Sequence, residues 1–400
     1  MSILRNITTK AERFLKNPEL MLFIGARQSG KTTILKQLQE GLNAKHKITY
    51  FLNLEDPEFL ELLNRSPKNL FKIFTFDLSQ KTFVFIDEIQ YLKNPTNFLK
   101  YIYDEYQEKI KLLASGSSAF YLDQKFHDSL AGRKKIFPVR TLSFREFLRF
   151  KNEEKLSLAN FLNLSLTDEE KIKRYYDEFL IYGGYPKVAL TPLSEKKEIL
   201  AEIAYSYVKK DIFESGVRQE EIFYKFMKIL ASGIGGLVNF SEISATLGAS
   251  KATLERYFYI LRKSFHVSQV RPFYKKIRKE LTKMPKVYFN DLGLRNFFVG
   301  NFDSPLLRED KGALMENAVF RQLIERYDES EIKFWRTTSN NEVDFIAGDK
   351  DAFEVKFNAR QFNKKKYHVF FENYPEIDVK LAAYEIPGKV SAGKLYPWQI

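Results

Sequence analysis

The sequence predicts an α/β protein whose N-terminal part is a parallel sheet with a phosphate-binding loop. Two observations support this fold class. Short apolar runs typical of buried strands alternate with helical segments over the first 150 residues, and a glycine-rich loop follows the first run. Alternating strands and helices form doubly wound parallel sheets that bind ligands at their carboxyl edge. The 400 residues, 44% of them apolar, are enough for roughly two to four domains.

The loop is residues 25–32, Gly-Ala-Arg-Gln-Ser-Gly-Lys-Thr, and it fits the pattern G-x-x-x-x-G-K-[ST]. It lies between the apolar run 20–24 and the helical segment 33–38. The N–H groups of such a loop cradle phosphates, while Lys31 reaches the β- and γ-phosphates and Thr32 holds Mg2+. We therefore expect ATP and Mg2+ as cofactors. The predicted nucleotide-binding residues are Gly25, Ala26, Arg27, Gln28, Ser29, Gly30, Lys31, Thr32 and Thr33.

A second buried strand ends in two acids. Residues 82–88, Thr-Phe-Val-Phe-Ile-Asp-Glu, form an apolar run that delivers carboxylates at the C-terminal end of a strand, as a Walker B segment does. We expect Asp87 to bind Mg2+ and Glu88 to orient the water that attacks the γ-phosphate. Acids at strand ends also cap helices, but the loop upstream favours the catalytic role.

Two further residues are candidates for contacts with the γ-phosphate. Ser117 follows the strand-like segment 110–116, where a phosphate sensor would lie, although Gly-Ser-Ser is equally a good strand-to-helix turn. Arg133 can approach the γ-phosphate of its own or of a neighbouring subunit in a homo-oligomer, and the alternative is a solvated surface arginine. Residues 1–150 are predicted to form one nucleotide-binding domain.

Residues 151–215 predict a small helical lid. Apolar residues recur at helical spacing among charged ones, and the sequence Gly-Gly-Tyr-Pro at 183–186 interrupts the pattern. This turn either faces the nucleotide or joins two helices.

Residues 216–300 predict a winged helix-turn-helix. Two amphipathic segments, 240–248 and 251–265, are separated by a short turn, and a basic segment at 271–279 resembles a wing. From Lys251 to Lys286 there are eleven Lys or Arg against two Glu, so most of the net charge of +13 is concentrated there. We expect this region to bind DNA, and docking of a protein is the alternative. The candidate contacts are Lys251, Thr253, Arg256, Arg262 and the cations of the wing.

Residues 301–400 contain the pattern D…(D/E)-x-K of a nuclease-like α/β domain. Glu354 and Lys356 alternate along one strand-like segment, and a hairpin would bring Asp344 beside them. Together with Glu316 from a helix, the carboxylates of Asp344 and Glu354 can hold Mg2+. Lys356 can then position water or stabilise charge on a phosphate. The alternative is that Glu-x-Lys is an ion pair on a surface strand.

These motifs occur in an order that resembles a widespread prokaryotic family of AAA-type ATPases. Members of that family join an ATPase core and a winged helix to a C-terminal domain of unknown function resembling PD-(D/E)XK nucleases. The resemblance implies ATP hydrolysis by Lys31, Thr32, Asp87 and Glu88, and a nuclease-like site at Glu316, Asp344, Glu354 and Lys356. Val343 stands where the nuclease motif has a proline. The matching segments are 25–32, 84–90, 116–118, 131–133, 183–186, 342–345 and 354–356.

Composition excludes several other chemistries. The chain has no cysteine, which excludes disulfides, thiolate metal sites and cysteine nucleophiles, and its four histidines disfavour a histidine-rich metal site. No apolar run is long enough to span a membrane, and the N-terminus has no apolar signal core, so we expect a cytoplasmic protein without a membrane partner.

The sequence thus predicts an ATP-hydrolysing, DNA-binding protein, and Mg2+-dependent nuclease activity of the C-terminal domain is a separate hypothesis. The alternative is a nucleotide-switched regulator or scaffold whose winged helix and nuclease-like domain dock proteins without catalysis.

Overall fold

The computed structural model describes residues 3–77, 79–116, 130–208, 217, 219–274, 280, 283–339, 341–387 and 393–400. Ser117 and the basic segment 275–279 lie outside these ranges. The chain forms two compact units. The N-terminal unit holds the described residues up to Thr141 together with Tyr259–Phe265, and the C-terminal unit holds those of Leu142–Lys209, Val217–Phe258 and His266–Ile400.

A five-stranded parallel sheet organises the N-terminal unit. Its strands are β1 (Leu20–Ile24), β2 (Thr49–Asn53), β3 (Thr82–Asp87), β4 (Ile110–Gly116) and β5 (Lys134–Pro138). They lie in the order β2-β3-β4-β1-β5, and every pairing is parallel. The described helices of this unit are α1 (Asn6–Glu12), α2 (Lys31–Asn43), α3 (Pro57–Arg65), α4 (Leu70–Ile73) and α5 (Pro95–Tyr106). The predicted α/β fold with a parallel sheet is confirmed.

The strand that carries the loop 25–32 is held on both faces. All five residues of β1 are buried, as expected for an apolar strand between two neighbours. Leu22 and Ile24 pack into one apolar cluster, whereas Met21 and Phe23 pack into another. The end of β1 therefore has a fixed position, and the loop starts from there.

The C-terminal unit contains a mixed seven-stranded sheet. Its strands are β6 (Val267–Pro272), β7 (Lys286–Phe289), β8 (Ile332–Arg336), β9 (Glu342–Ala347), β10 (Asp351–Asn358), β11 (Val379–Glu385) and β12 (Lys394–Leu395). They lie in the order β12-β11-β10-β9-β8-β6-β7. The β6–β7, β8–β9 and β9–β10 pairs are antiparallel, and the β6–β8, β10–β11 and β11–β12 pairs are parallel.

Eleven described α-helices accompany this sheet along the chain, and one of them, α13, contributes residues to both units. They are α6 (Phe144–Phe150), α7 (Glu154–Leu158), α8 (Leu166–Tyr182), α9 (Pro186–Leu190), α10 (Lys196–Glu202), α11 (Glu220–Ser232), α12 (Phe240–Leu247), α13 (Lys251–Lys263), α14 (Leu292–Val299), α15 (Lys311–Leu323) and α16 (His368–Asn373). In the described ranges we find no helix with the length and apolarity needed to cross a membrane.

The structure does not divide the chain at the predicted boundaries 215/216 and 300/301. Strand β6, from the predicted winged helix, pairs with β8 of the predicted nuclease-like domain in the register Arg271↔Lys333. One hydrophobic core also contains residues of the predicted lid, winged helix and nuclease-like domain. Its members include Phe144, Tyr176, Val270, Phe320 and Leu381.

The Gly-Gly-Tyr-Pro turn joins α8 to α9. Gly183 has a φ of 74°, and a Cβ at this position would lie 2.2 Å from Asp291 Oδ1. The N–H of Gly184 donates to Asp291 Oδ2 at 2.8 Å, and the same carboxylate accepts from Leu294 N at the start of α14. Glycine is thus required by close packing against Asp291 within the C-terminal unit.

Candidate functional site

The loop 25–32 has the strand-to-helix geometry that its sequence predicts. β1 ends at Ile24 and α2 begins at Lys31. A Cβ on Gly25 would lie 2.0 Å from Val139 O, so only glycine fits there. Gly30 and Gln28 both take left-handed conformations, with φ of 97° and 60°. These turns fold the loop over the N-terminus of α2, where N–H groups attract anions.

Two side chains of the loop are suited to a phosphate ligand. Lys31 is 4% exposed, and its Nζ donates to the carbonyls of Gly25 at 3.0 Å and Ala26 at 2.9 Å. Its ammonium therefore lies within the loop rather than in solvent. The Ser29 hydroxyl is buried without a hydrogen-bond partner, which fits a donor whose natural acceptor is a bound anion.

The two acids of the Walker B segment reach the same end of the sheet. Asp87 ends β3, is buried, and accepts a hydrogen bond from the Ser115 hydroxyl. Burial raises the pKa of Asp87, while hydrogen bonds from the hydroxyls of Ser115 and Thr32 and the charge of Lys31 oppose that rise. Asp87, Thr32 and Lys31 thus converge, and their hard oxygen donors fit Mg2+ coordinated to a triphosphate.

Glu88 follows Asp87 in a left-handed conformation with φ of 58°. Its carboxylate accepts from the Gln90 side-chain amide, and its N–H donates to Ser115 Oγ at 3.2 Å. The left-handed turn points the two consecutive carboxylates at different partners. The carboxylate of Asp87 accepts from the Ser115 hydroxyl, whereas that of Glu88 accepts from Gln90. This separation suits a metal ligand and a water-positioning group.

Ser115 is the residue of this site that sequence reasoning missed. The sequence favoured Ser117, whose placement lies outside the described residues. In the structure β3 and β4 are parallel neighbours with Ile86 opposite Ala114, which sets Ser115 alongside Asp87. A polar residue at the end of an otherwise apolar strand was the available signal, but it becomes informative only once the pairing of β3 with β4 is known.

Arg133 lies at the other end of the sheet from the loop 25–32. Its carbonyl accepts from Leu20 N at the start of β1, and Leu20 pairs with Lys134. The five residues of β1 separate this position from the loop by about 16 Å, at about 3.3 Å per residue. The guanidinium instead pairs with Asp104 at 2.7 Å. The structure therefore does not bring Arg133 to the loop of its own chain, and a role in a neighbouring subunit stays a prediction.

The predicted nuclease-like residues lie together in the C-terminal unit. Glu316 comes from α15, Asp344 from β9, and Glu354 and Lys356 from β10. Val355 N donates to Asp344 Oδ2 at 2.8 Å, and Lys356 forms an ion pair with Glu354. Burial and the charge of Asp344 raise the pKa of Glu354, against the opposing charge of Lys356.

Lys286 is a further member of this cluster, and its place corrects the predicted DNA-contacting region. The side chain is 2% exposed, and Nζ lies 2.8 Å from Glu316 Oε1 and 2.5 Å from Glu342 Oε1. Burial disfavours the ammonium, but the charges of Glu316, Asp344 and Glu342 outweigh it and raise the pKa of Lys286. Lys286 therefore cannot contact DNA phosphates.

The carboxylates of this cluster are partly bonded to donors of the chain itself. Within the described ranges no three His, Asp or Glu side chains are arranged to hold a metal ion. Glu316 Oε1 accepts from both Lys286 and the Tyr288 hydroxyl, and Asp344 Oδ2 is engaged by Val355 N. Glu354 Oε2, by contrast, is buried without a hydrogen-bond partner, and a divalent ion at Asp344 and Glu354 stays a prediction.

The segment predicted as a helix-turn-helix contains the two helices α12 and α13, which a tight turn separates. Gly248 ends α12 with a φ of 63°, and the hydroxyl of Ser250 accepts from Thr253 N at the start of α13. On α13, Lys251 and Arg256 are exposed, whereas Arg262 is half-buried. Part of the predicted cationic face is thus open to solvent.

Comparison with known protein families agrees with the N-terminal site. Residues 17–148 match the AAA domain family. Residues 173–304 and 311–394 match two domains of unknown function, DUF8612 and DUF4143. The parallel sheet and the loop geometry agree with this similarity of residues 17–148 to AAA domains. The winged-helix and nuclease-like resemblances receive no such support.

Similar full-length proteins carry no described activity. An uncharacterized protein of Haemophilus influenzae is 27% identical over 90% of this chain and 88% of its own length. The uncharacterized protein MJ1544 of Methanocaldococcus jannaschii is 25% identical over 87% of this chain and 77% of its own.

Among solved structures, AMPPCP-bound DnaA from Aquifex aeolicus aligns with a TM-score of 0.31 and 14% identity over 65% of this chain and 89% of its own. Caenorhabditis elegans PCH-2 aligns with a TM-score of 0.32 and 15% identity over 50% of this chain and 59% of its own. TM-scores this low establish nothing about activity.

Proposed function

We propose that the protein binds Mg2+-ATP at the loop 25–32 and hydrolyses it. The observation that supports this most strongly is the convergence of Asp87, Thr32 and Lys31 beside a glycine loop at the carboxyl edge of a parallel sheet. These three residue types at this place match the needs of a triphosphate and its metal ion.

Each residue has a distinct task in the proposed reaction. Lys31 binds the β- and γ-phosphates in exchange for its bonds to the carbonyls of Gly25 and Ala26. Thr32 and Asp87 would hold Mg2+. When bound there, the ion would neutralise the charge that develops on the phosphates during hydrolysis. Glu88 orients the attacking water, and Ser115 fixes the carboxylate of Asp87.

The first test is nucleotide binding by Lys31→Ala. Loss of the ammonium should weaken Mg2+-ATP binding and hydrolysis by about 100-fold or more, because an electrostatic contact to the phosphates is removed. Lys36→Ala is the matched control, since Lys36 is an exposed lysine of the same helix. Equal ATP affinity of Lys31→Ala and the unchanged protein in a calorimetric titration would refute the assignment of the site.

We further propose that the protein binds DNA through α13. The support is the exposure of Lys251 and Arg256 near the start of the second helix of a helix-turn-helix. The alternative is a nucleotide-switched regulator or scaffold that docks proteins there. Mg2+-dependent nuclease activity at Asp344, Glu354 and Lys356 is a separate hypothesis, which fails if neither Mg2+ nor Mn2+ yields DNA cleavage that Asp344→Ala abolishes.

The DNA proposal is tested by the charge reversal Lys251→Glu/Arg256→Glu. DNA affinity should fall by at least about 10-fold, and the slope of log K against log salt should become shallower by about 2, since two phosphate contacts are lost. Lys225→Glu is the control, because Lys225 is exposed on α11 and belongs to no predicted contact. DNA binding that is absent, or unchanged by the reversal, would favour the regulator. A nucleotide-dependent change in elution volume on size exclusion would support it.

A further inference from the structure

The segment before α1 contacts the loop 25–32 through a buried arginine. Arg5 is 5% exposed, and its guanidinium donates to two backbone carbonyls. Nη1 lies 2.9 Å from Ser29 O inside the loop, and Nη2 lies 3.0 Å from Arg140 O in the segment after β5. Because the N–H groups of a planar guanidinium have fixed directions, Arg5 ties these two stretches of backbone together.

Arg140 belongs to the same segment that fixes the start of the loop. Val139 O fills the space that a Cβ on Gly25 would need. The two bonds of Arg5 extend this support to the second half of the loop, at Ser29. Both halves of the loop therefore take their position from one stretch of backbone after β5.

Arg5 is itself held in place by α2. The side-chain amide of Gln37 donates to Ile3 O at 2.9 Å, and its carbonyl oxygen accepts from the Thr8 hydroxyl at 2.9 Å. These two bonds lie on either side of Arg5 along the chain. The guanidinium thus reaches the loop from a backbone that is bonded to α2 both before and after it.

The bond to Ser29 O orients the peptide group between Ser29 and Gly30. A trans peptide group is planar, so its C=O and N–H point in opposite directions. Because the carbonyl is bonded to Arg5, the N–H of Gly30 is directed away from the guanidinium. Loops of this type bind phosphates through N–H groups that converge on the anion, and rotation of this peptide group would withdraw one of them.

We propose that Arg5 is a positioning residue for the nucleotide. It fixes the peptide group between Ser29 and Gly30 so that the Gly30 N–H donates to a phosphate of ATP. This inference rests on the proposed binding of Mg2+-ATP at the loop 25–32, and it adds a residue outside the motif G-x-x-x-x-G-K-[ST]. A donor that binds the phosphates equally before and during hydrolysis changes nucleotide affinity rather than the chemical step.

Steady-state ATP hydrolysis by Arg5→Gln separates positioning from a merely structural role. Loss of the guanidinium should raise KM for Mg2+-ATP by at least about 10-fold, as expected for hydrogen bonds from a charged donor, and leave kcat within about 3-fold. The Kd for Mg2+-ADP, measured by calorimetry without turnover, should rise by the same factor. A structural defect alone would lower the fraction of active molecules, so a reduced kcat with an unchanged KM would overturn the proposal.

Thr8→Val is the matched control. It removes the bond to Gln37 that joins α1 to α2, but it touches neither Arg5 nor the loop. Its KM and kcat should therefore stay within about 2-fold of those of the unchanged protein. An equal rise of KM in Thr8→Val and Arg5→Gln would show that the docking of α1 sets the affinity, and it would overturn the role of Arg5.

Arg5→Lys decides the question if Arg5→Gln does not fold. Lysine keeps the positive charge but loses the planar fork that reaches both carbonyls, so KM should rise by at least about 3-fold. An unchanged KM in a folded Arg5 variant would overturn this inference alone. If the unchanged protein neither binds nor hydrolyses Mg2+-ATP, the proposed function and this inference both fail.

Discussion

Asp87 shows how one buried residue combines a structural cost with a function. Burial raises the pKa of its carboxyl, which means that the ionised form is less stable in the folded protein than in the unfolded chain. The hydroxyls of Ser115 and Thr32 reduce this cost by donating hydrogen bonds to the carboxylate. A bound Mg2+ would reduce it further. A buried acid of this kind is better explained by a ligand than by packing.

Ser115→Ala tests the support of Asp87. The hydroxyl is the donor nearest to the carboxylate, and hydrogen bonds to charged groups contribute about 1.5–3 kcal/mol. We expect the rate of ATP hydrolysis to fall by about 10-fold or more, measured as phosphate release at saturating Mg2+-ATP. Ser66→Ala, which removes a half-buried hydroxyl that caps the short helix Pro67–Asn69, is the control and should leave the rate unchanged. A Ser115→Ala protein with the full rate would show that Asp87 needs no such donor.

At the scale of secondary structure, the loop 25–32 depends on contact between its backbone and the strand connection after β5. Gly25 N donates to Gly116 O, and the space for a Cβ on Gly25 is filled by Val139 O. The loop therefore has a single position between β4 and the segment after β5, and any side chain at residue 25 must move one of them.

Gly25→Ala tests this close approach. The added methyl would lie about 2.0 Å from a carbonyl oxygen, so the loop has to shift. We expect the protein to lose several degrees of melting temperature and Mg2+-ATP affinity to fall by at least about 10-fold. Gly312→Ala is the matched control, because a Cβ there meets nothing within 4 Å and alanine favours the helix α15 by about 1 kcal/mol. Tight ATP binding by Gly25→Ala would contradict the rigid-loop account.

Elements whose pattern is local could be predicted from the sequence, and those set by distant partners could not. The apolar runs that became β1 and β3, and the loop between β1 and α2, follow from periodicity and glycine placement. The pairing of β6 with β8 joins residues about sixty positions apart, and no local signal specifies it. The position of Arg133 could not be predicted locally either, because the register of β1 with β5 places it at the end of the sheet opposite the loop 25–32.

Lys286 illustrates the same limit for the candidate sites. In the sequence it closes a basic stretch and resembles the other ten cations of that stretch. Its burial depends on Glu316 and Glu342, which lie 30 and 56 positions further along the chain. Burial and ion pairing of a lysine therefore follow from tertiary structure, and counting charge along the sequence overstates the cationic surface.

At the scale of the whole molecule, the net charge of +13 is distributed between two roles. Lys251 and Arg256 are exposed on α13, whereas Lys286 neutralises acids inside the C-terminal unit. Attraction of DNA by the exposed cations stays a prediction. The chain therefore combines a candidate nucleotide-binding domain, a candidate cationic helix face and an acid cluster that contains a buried lysine.

The most direct test of the central claim is Mg2+-ATP turnover by Glu88→Gln. Glu88 is assigned to the attacking water rather than to nucleotide binding, and glutamine keeps its size while losing its charge. Phosphate release should be at least about 100-fold slower than in the unchanged protein, while the Kd for Mg2+-ATP stays within a few-fold. Equal turnover by the two proteins, or no turnover by the unchanged protein, would contradict the account.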